Sequence, residues 1–215
     1  MKTVPTPPCE NCGKPPGVCI CDRAAKVDTR LRVVILQHPQ EDDALLGTAK
    51  LVEVTLPKAE VRVGLSWASL DHAIGGRNAD RERWAVLAVA KLPVAVPEES
   101  RHEPVVVIDR KGRLRDLKRH GLEGLIVLDG TWSQAKTLWW RNAWLLKLPR
   151  VVLKPREPSM YGRLRKEPRK EWVSTLEAIG DVLPALGEPE TVRSNLRRLL
   201  RTLLQRARDQ ASISP

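Results

Sequence analysis

The chain reads as an α/β protein with a mainly parallel sheet and flanking helices. Two observations predict this. Short aliphatic runs, nearly bare of charge, recur around 32–37, 84–90, 104–109, 124–128 and 150–154. Each is too short for a helix and has the look of a buried strand. Between them lie segments with helical spacing, at 131–138, 171–183 and 190–208, and such alternation builds a parallel sheet. The length of 215 residues suits one such domain with small additions and is enough to bury a full core.

Residues 1–8 form a Pro-rich lead. All four cysteines follow as Cys9-x2-Cys12-x6-Cys19-x-Cys21. Four thiolates so close in sequence can close a tetrahedral zinc site, and with every ligand a cysteine the zinc would be structural. Gly13 and Gly17 permit tight turns, and Pro15-Pro16 stiffen the loop between the pairs. The Cys-x-Cys pair is tighter than usual, and two disulfides or free thiols are the alternatives. The N-terminus lacks the apolar centre of a signal peptide. No run of eighteen apolar residues occurs, so no membrane partner is expected. A cytosolic setting, where thiols stay reduced, favours metal. The expected division is 1–23 as lead and zinc knuckle, 24–187 as the α/β domain, and 188–215 as a basic amphipathic helix and tail.

Arg32–Gln37 is a strand that runs into His38-Pro39. Pro39 suits the first turn of a helix, and Glu41-Asp42-Asp43 suits its N-terminus, predicting a helix over about 42–53. His38 reads as a strand-end hydrogen-bonding residue. Val61–Leu65 is the second strand. Ser66-Trp67 follow at its C-terminal end, where open α/β sheets bind ligands; a polar turn with Trp67 packed on the core edge is the other reading. Trp84–Ala90 and Pro104–Asp109 are the third and fourth strands.

The central strand, Gly124–Leu128, meets the turn signal Asp129-Gly130 and restarts as a helix near Thr131. A carboxylate thus stands at the end of a buried strand, facing a helix start. Thr131 and Gln134 also fit a capping box, so Asp129 could simply buttress the turn. Along the helix Trp132, Lys136, Trp140 and Trp144 share a face. Most of these tryptophans should pack on the sheet, with one left exposed to stack on a base or on adenine. Arg150–Lys154 is a further strand. The loop from Pro155 to Lys170 is long enough to suggest function. In the helix Glu171–Leu183, Trp172, Leu176, Ile179 and Leu183 face the core, and Ser174 with Glu177 fits a second capping box. Residues 190–208 form an amphipathic helix with leucines on one side and arginines over much of the rest.

Lys and Arg exceed Asp and Glu by 11, which points to a polyanionic partner. Two clusters are the phosphate-binding candidates. Arg110, Lys111, Arg113, Arg115, Lys118 and Arg119 make one arm. Arg156, Arg163, Arg165, Lys166 and Arg169 line the loop after residue 154. The arginines of the last helix add to them.

Asp129-Gly-Thr-Trp132 resembles the D-x-T-W signature of the DTW-domain family. His38-Pro-Gln-Glu41 resembles that family's H-P-x-E segment, Thr48-Ala-Lys-Leu51 its T-x-x-L, and Ser174-Thr-Leu-Glu-Ala178 its S-T-L-E-A. An N-terminal cysteine cluster is common there too. The resemblance implies a SPOUT-like, knotted α/β fold. It also implies transfer of the 3-amino-3-carboxypropyl group from S-adenosylmethionine to N3 of a uridine in tRNA, releasing methylthioadenosine. Asp129 would be the base. Cofactor contacts would come from Ser66, Trp67, Leu128, Gly130, Trp132, Ser174, Thr175 and Glu177. A SPOUT-type RNA methyltransferase and a non-catalytic zinc-containing RNA-binding protein are the alternatives.

Overall fold

The computed structural model describes residues 6–41, 43, 45–89, 93–115, 121–162 and 173–213. Six strands form one sheet: β1 (Arg32–Gln37), β2 (Ala59–Val63), β3 (Trp84–Val89), β4 (Val105–Ile108), β5 (Gly124–Asp129) and β6 (Arg150–Leu153). Their order is β2-β1-β5-β3-β6-β4. All pairs are parallel except β4 with β6 at the edge. The mainly parallel sheet is therefore as expected. Five helices accompany it: α1 (Ala49–Thr55), α2 (Leu70–Ile74), α3 (Trp132–Arg141), α4 (Thr175–Ala185) and α5 (Glu190–Ile213).

Strand alternation sorts the core into two layers. Val33 and Ile35 of β1, with Leu125 and Val127 of β5, face α1, α4 and α5. Val34, Leu36 and Ile126 face Leu70, Ala73 and Ile74 of α2, together with Trp84 and Trp144. Val18 and Ile20, from the cysteine-bearing segment, are fully buried in the first layer beside Leu199, Leu200 and Leu203 of α5. A Cβ at Gly124 would overlap the Trp84 ring, so that glycine lets the indole lie across the start of β5.

Several boundaries differ from the sequence expectation. The helix expected over 42–53 is α1, over 49–55. Before it the Gly47 amide instead turns back onto the Asp43 carbonyl at 2.8 Å, and residues 42 and 44 of the expected helix lie outside the described residues. β2 covers 59–63 rather than 61–65; the Gly64 amide makes the last bond to β1, at the carbonyl of Gln37, where β1 itself ends. The sequence reading passed over α2, although Ser69 caps its start and left-handed Gly75 ends it. α4 begins at Thr175 because Ser174 caps it; the expected start at 171, with Trp172, lies outside the described residues. The expected tryptophan ridge divides. Asn142 breaks α3, Trp144 falls in the next 3-10 turn and is buried, and Trp132 and Trp140 stay exposed.

Candidate active site and metal centre

Asp129 ends β5 on the face that carries α4. Its register partner across the parallel ladder is Gln37, the last residue of β1. The Gln37 amide nitrogen donates to Asp129 Oδ2 at 2.8 Å. The Thr175 hydroxyl, on the first residue of α4, donates to Asp129 Oδ1. The His38 amide holds the Asp129 carbonyl at 3.0 Å. Asp129 is only 7% exposed, and its carboxylate is clasped from two segments, the end of β1 and the start of α4. Each of its oxygens keeps a second lone pair for another donor.

Gly130 follows with φ of 145°, and a Cβ there would stand 2.9 Å from the Gln134 side chain. Both sequence-level capping boxes form. Gln134 Oε1 accepts from the Thr131 amide, and its Nε2 reaches the Gln40 carbonyl, so the cap also ties α3 to the loop after β1. Glu177 completes the box with Ser174. Its buried carboxylate also takes the Ser159 hydroxyl and the Met160 amide, pinning the chain after β6 to the start of α4.

The proposed contact residues therefore separate by geometry. Asp129, Gly130 and Thr175 meet directly. Ser174 and Glu177 form a clamp on the adjoining turn. Trp132 opens α3 beside them, exposed. Leu128 packs on the opposite face of the sheet. Ser66 and Trp67 share the sheet's C-terminal edge but are bound elsewhere. The Trp67 amide donates to Asn142 Oδ1, and the Trp67 carbonyl accepts from Trp144 Nε1. Gln37 was missed in the sequence. A polar residue ending an apolar strand was the available signal.

The four cysteine sulfurs lie within 4.8 Å of one another. Cys9 and Cys21, like Cys12 and Cys19, stand 3.8 Å apart, and none is disulfide-bonded. Zinc–sulfur bonds of about 2.3 Å in a tetrahedron require edges near ~3.8 Å, so the donor set fits Zn. Amides of Cys12 and Asn11 draw the Cys9 thiol down to about 6, which favours the ligating thiolate.

Lys14 ties this centre to the sheet edge. Its buried ammonium donates to the carbonyls of Leu45 and Gly47 at 2.9 and 2.8 Å, and burial pulls its pKa down. A cavity of about 170 Å³ opens between them, lined by Cys12, Lys14, Gln37, Glu41, Asp43 and Lys50 among others. Asp129 stands behind Gln37 rather than in that wall.

The DTW-domain profile matches residues 6–208. The chain belongs to the DTW-domain family. Similar family members include tRNA-uridine aminocarboxypropyltransferase 2 of Mus musculus, at 29% identity over 92% of this chain and 62% of that protein. The protein of the same name in Drosophila melanogaster is 28% identical over 95% and 76%. tRNA-uridine aminocarboxypropyltransferase A of Arabidopsis thaliana is 26% identical over 94% and 80%. This DTW chain thus spans under two thirds of the length of the mouse relative. No solved structure matches it.

The basic residues of this DTW chain are unevenly placed. Arg110, Lys111 and Arg156 are exposed. Arg113 pairs with Asp109 and Arg115 with Glu82, so part of the arm is neutralised after all. Lys118, Arg119, Arg163, Arg165, Lys166 and Arg169 lie outside the described residues. On α5, Arg193 and Arg197 pair with Asp181, Arg206 binds Asp22 and the Cys19 carbonyl, and Arg198 and Arg201 are exposed. No helix among the described residues is long and apolar enough to cross a membrane.

Proposed function

We propose that this protein transfers the 3-amino-3-carboxypropyl group of S-adenosylmethionine to N3 of a uridine in tRNA. The observation that carries the reading is the Asp129 carboxylate, clasped by Gln37 and Thr175 in a chain of the DTW-domain family. The donor's sulfonium activates its γ-carbon, so the protein must supply orientation and a proton acceptor.

Asp129 is the acceptor. Gln37 stands between its Oδ2 and the cavity, and the uridine brings its N3–H to a second lone pair of the carboxylate. The N3–Cγ bond forms, the Cγ–S bond breaks, the N3 proton passes to Asp129 and methylthioadenosine leaves. The cavity's mixed charge, with Lys14 and Lys50 against Glu41 and Asp43, complements an amino-acid zwitterion. Its volume, about six waters' worth of liquid, suits that end of the donor rather than the nucleoside. Gly130, Trp132, Ser174, Thr175 and Glu177 shape the remaining wall, with Leu128 as backbone support and Ser66 and Trp67 at the outer edge. Zn at Cys9, Cys12, Cys19 and Cys21 is structural, and residues 1–23, 24–187 and 188–215 act as knuckle, catalytic domain and basic helix. The exposed cations hold tRNA phosphates in the cytosol. A SPOUT-like, knotted topology belongs to the same reading.

Incubating unmodified tRNA with the protein and S-adenosylmethionine should yield methylthioadenosine and a uridine heavier by the aminocarboxypropyl group, read by nucleoside mass spectrometry. Asp129→Asn keeps the shape and should slow product formation by about 100-fold or more. S-adenosylhomocysteine as by-product, or an unimpaired Asp129→Asn variant, would overturn the assignment.

A further inference from the structure

Two large aromatic side chains on α3 remain in water. Trp132 is 58% exposed and Trp140 is 69% exposed, unusual for residues that gain so much from burial. At 3.6 residues per turn, positions 132, 136 and 140 fall within about 80° of arc and span about 12 Å along the axis. Exposed Lys136 therefore lies between the two indoles. The row begins three residues after Asp129, so it leads directly away from the candidate reacting carboxylate. At its far end, fully buried Asn142 fixes the helix by accepting from the Trp67 amide and donating to the Leu65 and Leu138 carbonyls at 3.1 and 2.8 Å. The row is a rigid rail.

We infer that Trp132, Lys136 and Trp140 form a stacking platform for the unpaired bases next to the target uridine. This rests on the tRNA reading above. Alternating aromatic faces and a cation match a single strand, whose bases stack while its phosphates meet the ammonium. The 12 Å length takes roughly three base steps at ~3.4 Å per strand. The chain's excess of 11 positive charges favours RNA over a basic partner protein. A base held on Trp132 lies beside the site, and one on Trp140 keeps the strand from swinging.

The test uses the full, metal-loaded chain and a short single-stranded oligouridylate, followed by tryptophan fluorescence quenching. Trp140→Ala should weaken binding by about ten-fold or more. Trp140→Phe should retain much of the affinity, whereas Trp140→Leu, apolar but unable to stack, should behave like alanine. Lys136→Ala should lower the slope of log affinity against log salt by about one, and the tryptophan variants should leave that slope unchanged. Trp140→Ala should also raise the KM for tRNA without changing that for S-adenosylmethionine. Unchanged oligouridylate affinity in Trp140→Ala, with product still made, overturns the platform while the enzymatic reading stands. Loss of affinity in Trp140→Ala, when the unsubstituted chain itself makes no aminocarboxypropyl product, keeps the platform and overturns the enzymatic reading. Reduced self-association of Trp140→Ala at full RNA affinity would make the rail a subunit contact and also overturn the inference.

Discussion

Asp129 gains its setting from partners distant in the chain. Gln37 and Thr175 are unremarkable residues in sequence, and their meaning comes from register and from the cap of α4. Hydrogen bonds to a charged group contribute about 1.5–3 kcal/mol. Thr175→Val should therefore lower kcat about ten-fold with little change in the KM for tRNA, measured by steady-state methylthioadenosine release. Gly130→Ala should cost about 1–3 kcal/mol in urea unfolding, since its φ of 145° and the nearby Gln134 side chain both resist a Cβ. The aspartate was legible because a carboxylate ending an apolar run is conspicuous. Its two donors were not, because no local pattern connects residues 37, 129 and 175.

Elements are fastened to one another by a few buried or bridging polar groups. Asn142 uses its whole amide, taking Trp67 and Trp144 and giving to Leu65 and Leu138. Asn142→Ala removes the side-chain partner of the Trp67 amide and of the Leu65 carbonyl, with a loss of about 2–4 kcal/mol expected in chemical denaturation. At the opposite end, Glu60 of β2 accepts from Arg32 and Arg62; Arg32 Nη2 also reaches the Ile74 carbonyl and Arg62 Nη1 the His72 carbonyl, both of α2. Burial alone would raise the Glu60 carboxyl, but hydrogen bonds and charge from the two arginines outweigh it and hold it below the usual range. A depressed carboxyl stabilises the fold above its ordinary titration range and loses that effect as pH falls through the folded value. The group is partly exposed, so Glu60→Gln should cost no more than about 1 kcal/mol at pH 7. The gap should close on acidification below the usual glutamate range, as followed by thermal melts.

Across the molecule, the cysteine knuckle shares the core that α5 and the sheet complete. Arg206 of α5 binds the Cys19 carbonyl, Lys14 binds the turn before α1, and Val18 and Ile20 pack with the α5 leucines. Stripping the metal with a chelator should therefore lower the melting midpoint of the whole chain by about 10 °C or more, since each kcal/mol shifts a protein this size by roughly 2–4 °C. One cooperative transition is expected in calorimetry. A separate low-temperature transition, with the main one unmoved, would show that the knuckle is an appendage.

Periodicity and turn chemistry act over a few residues, and at that range the chain was readable by itself. It determined the strands, the main helices, both capping boxes, the cysteine cluster and the carboxylate at the end of the central strand. Tertiary structure alone decided which residues meet. It set β5 between β1 and β3, brought Gln37 to Asp129, buried Trp144 while leaving Trp140 in water, and paired Arg113 and Arg115 with acids. Those outcomes depend on strand order and on contacts such as Gln37 with Asp129, 92 residues apart. Such contacts form only when the whole sheet closes.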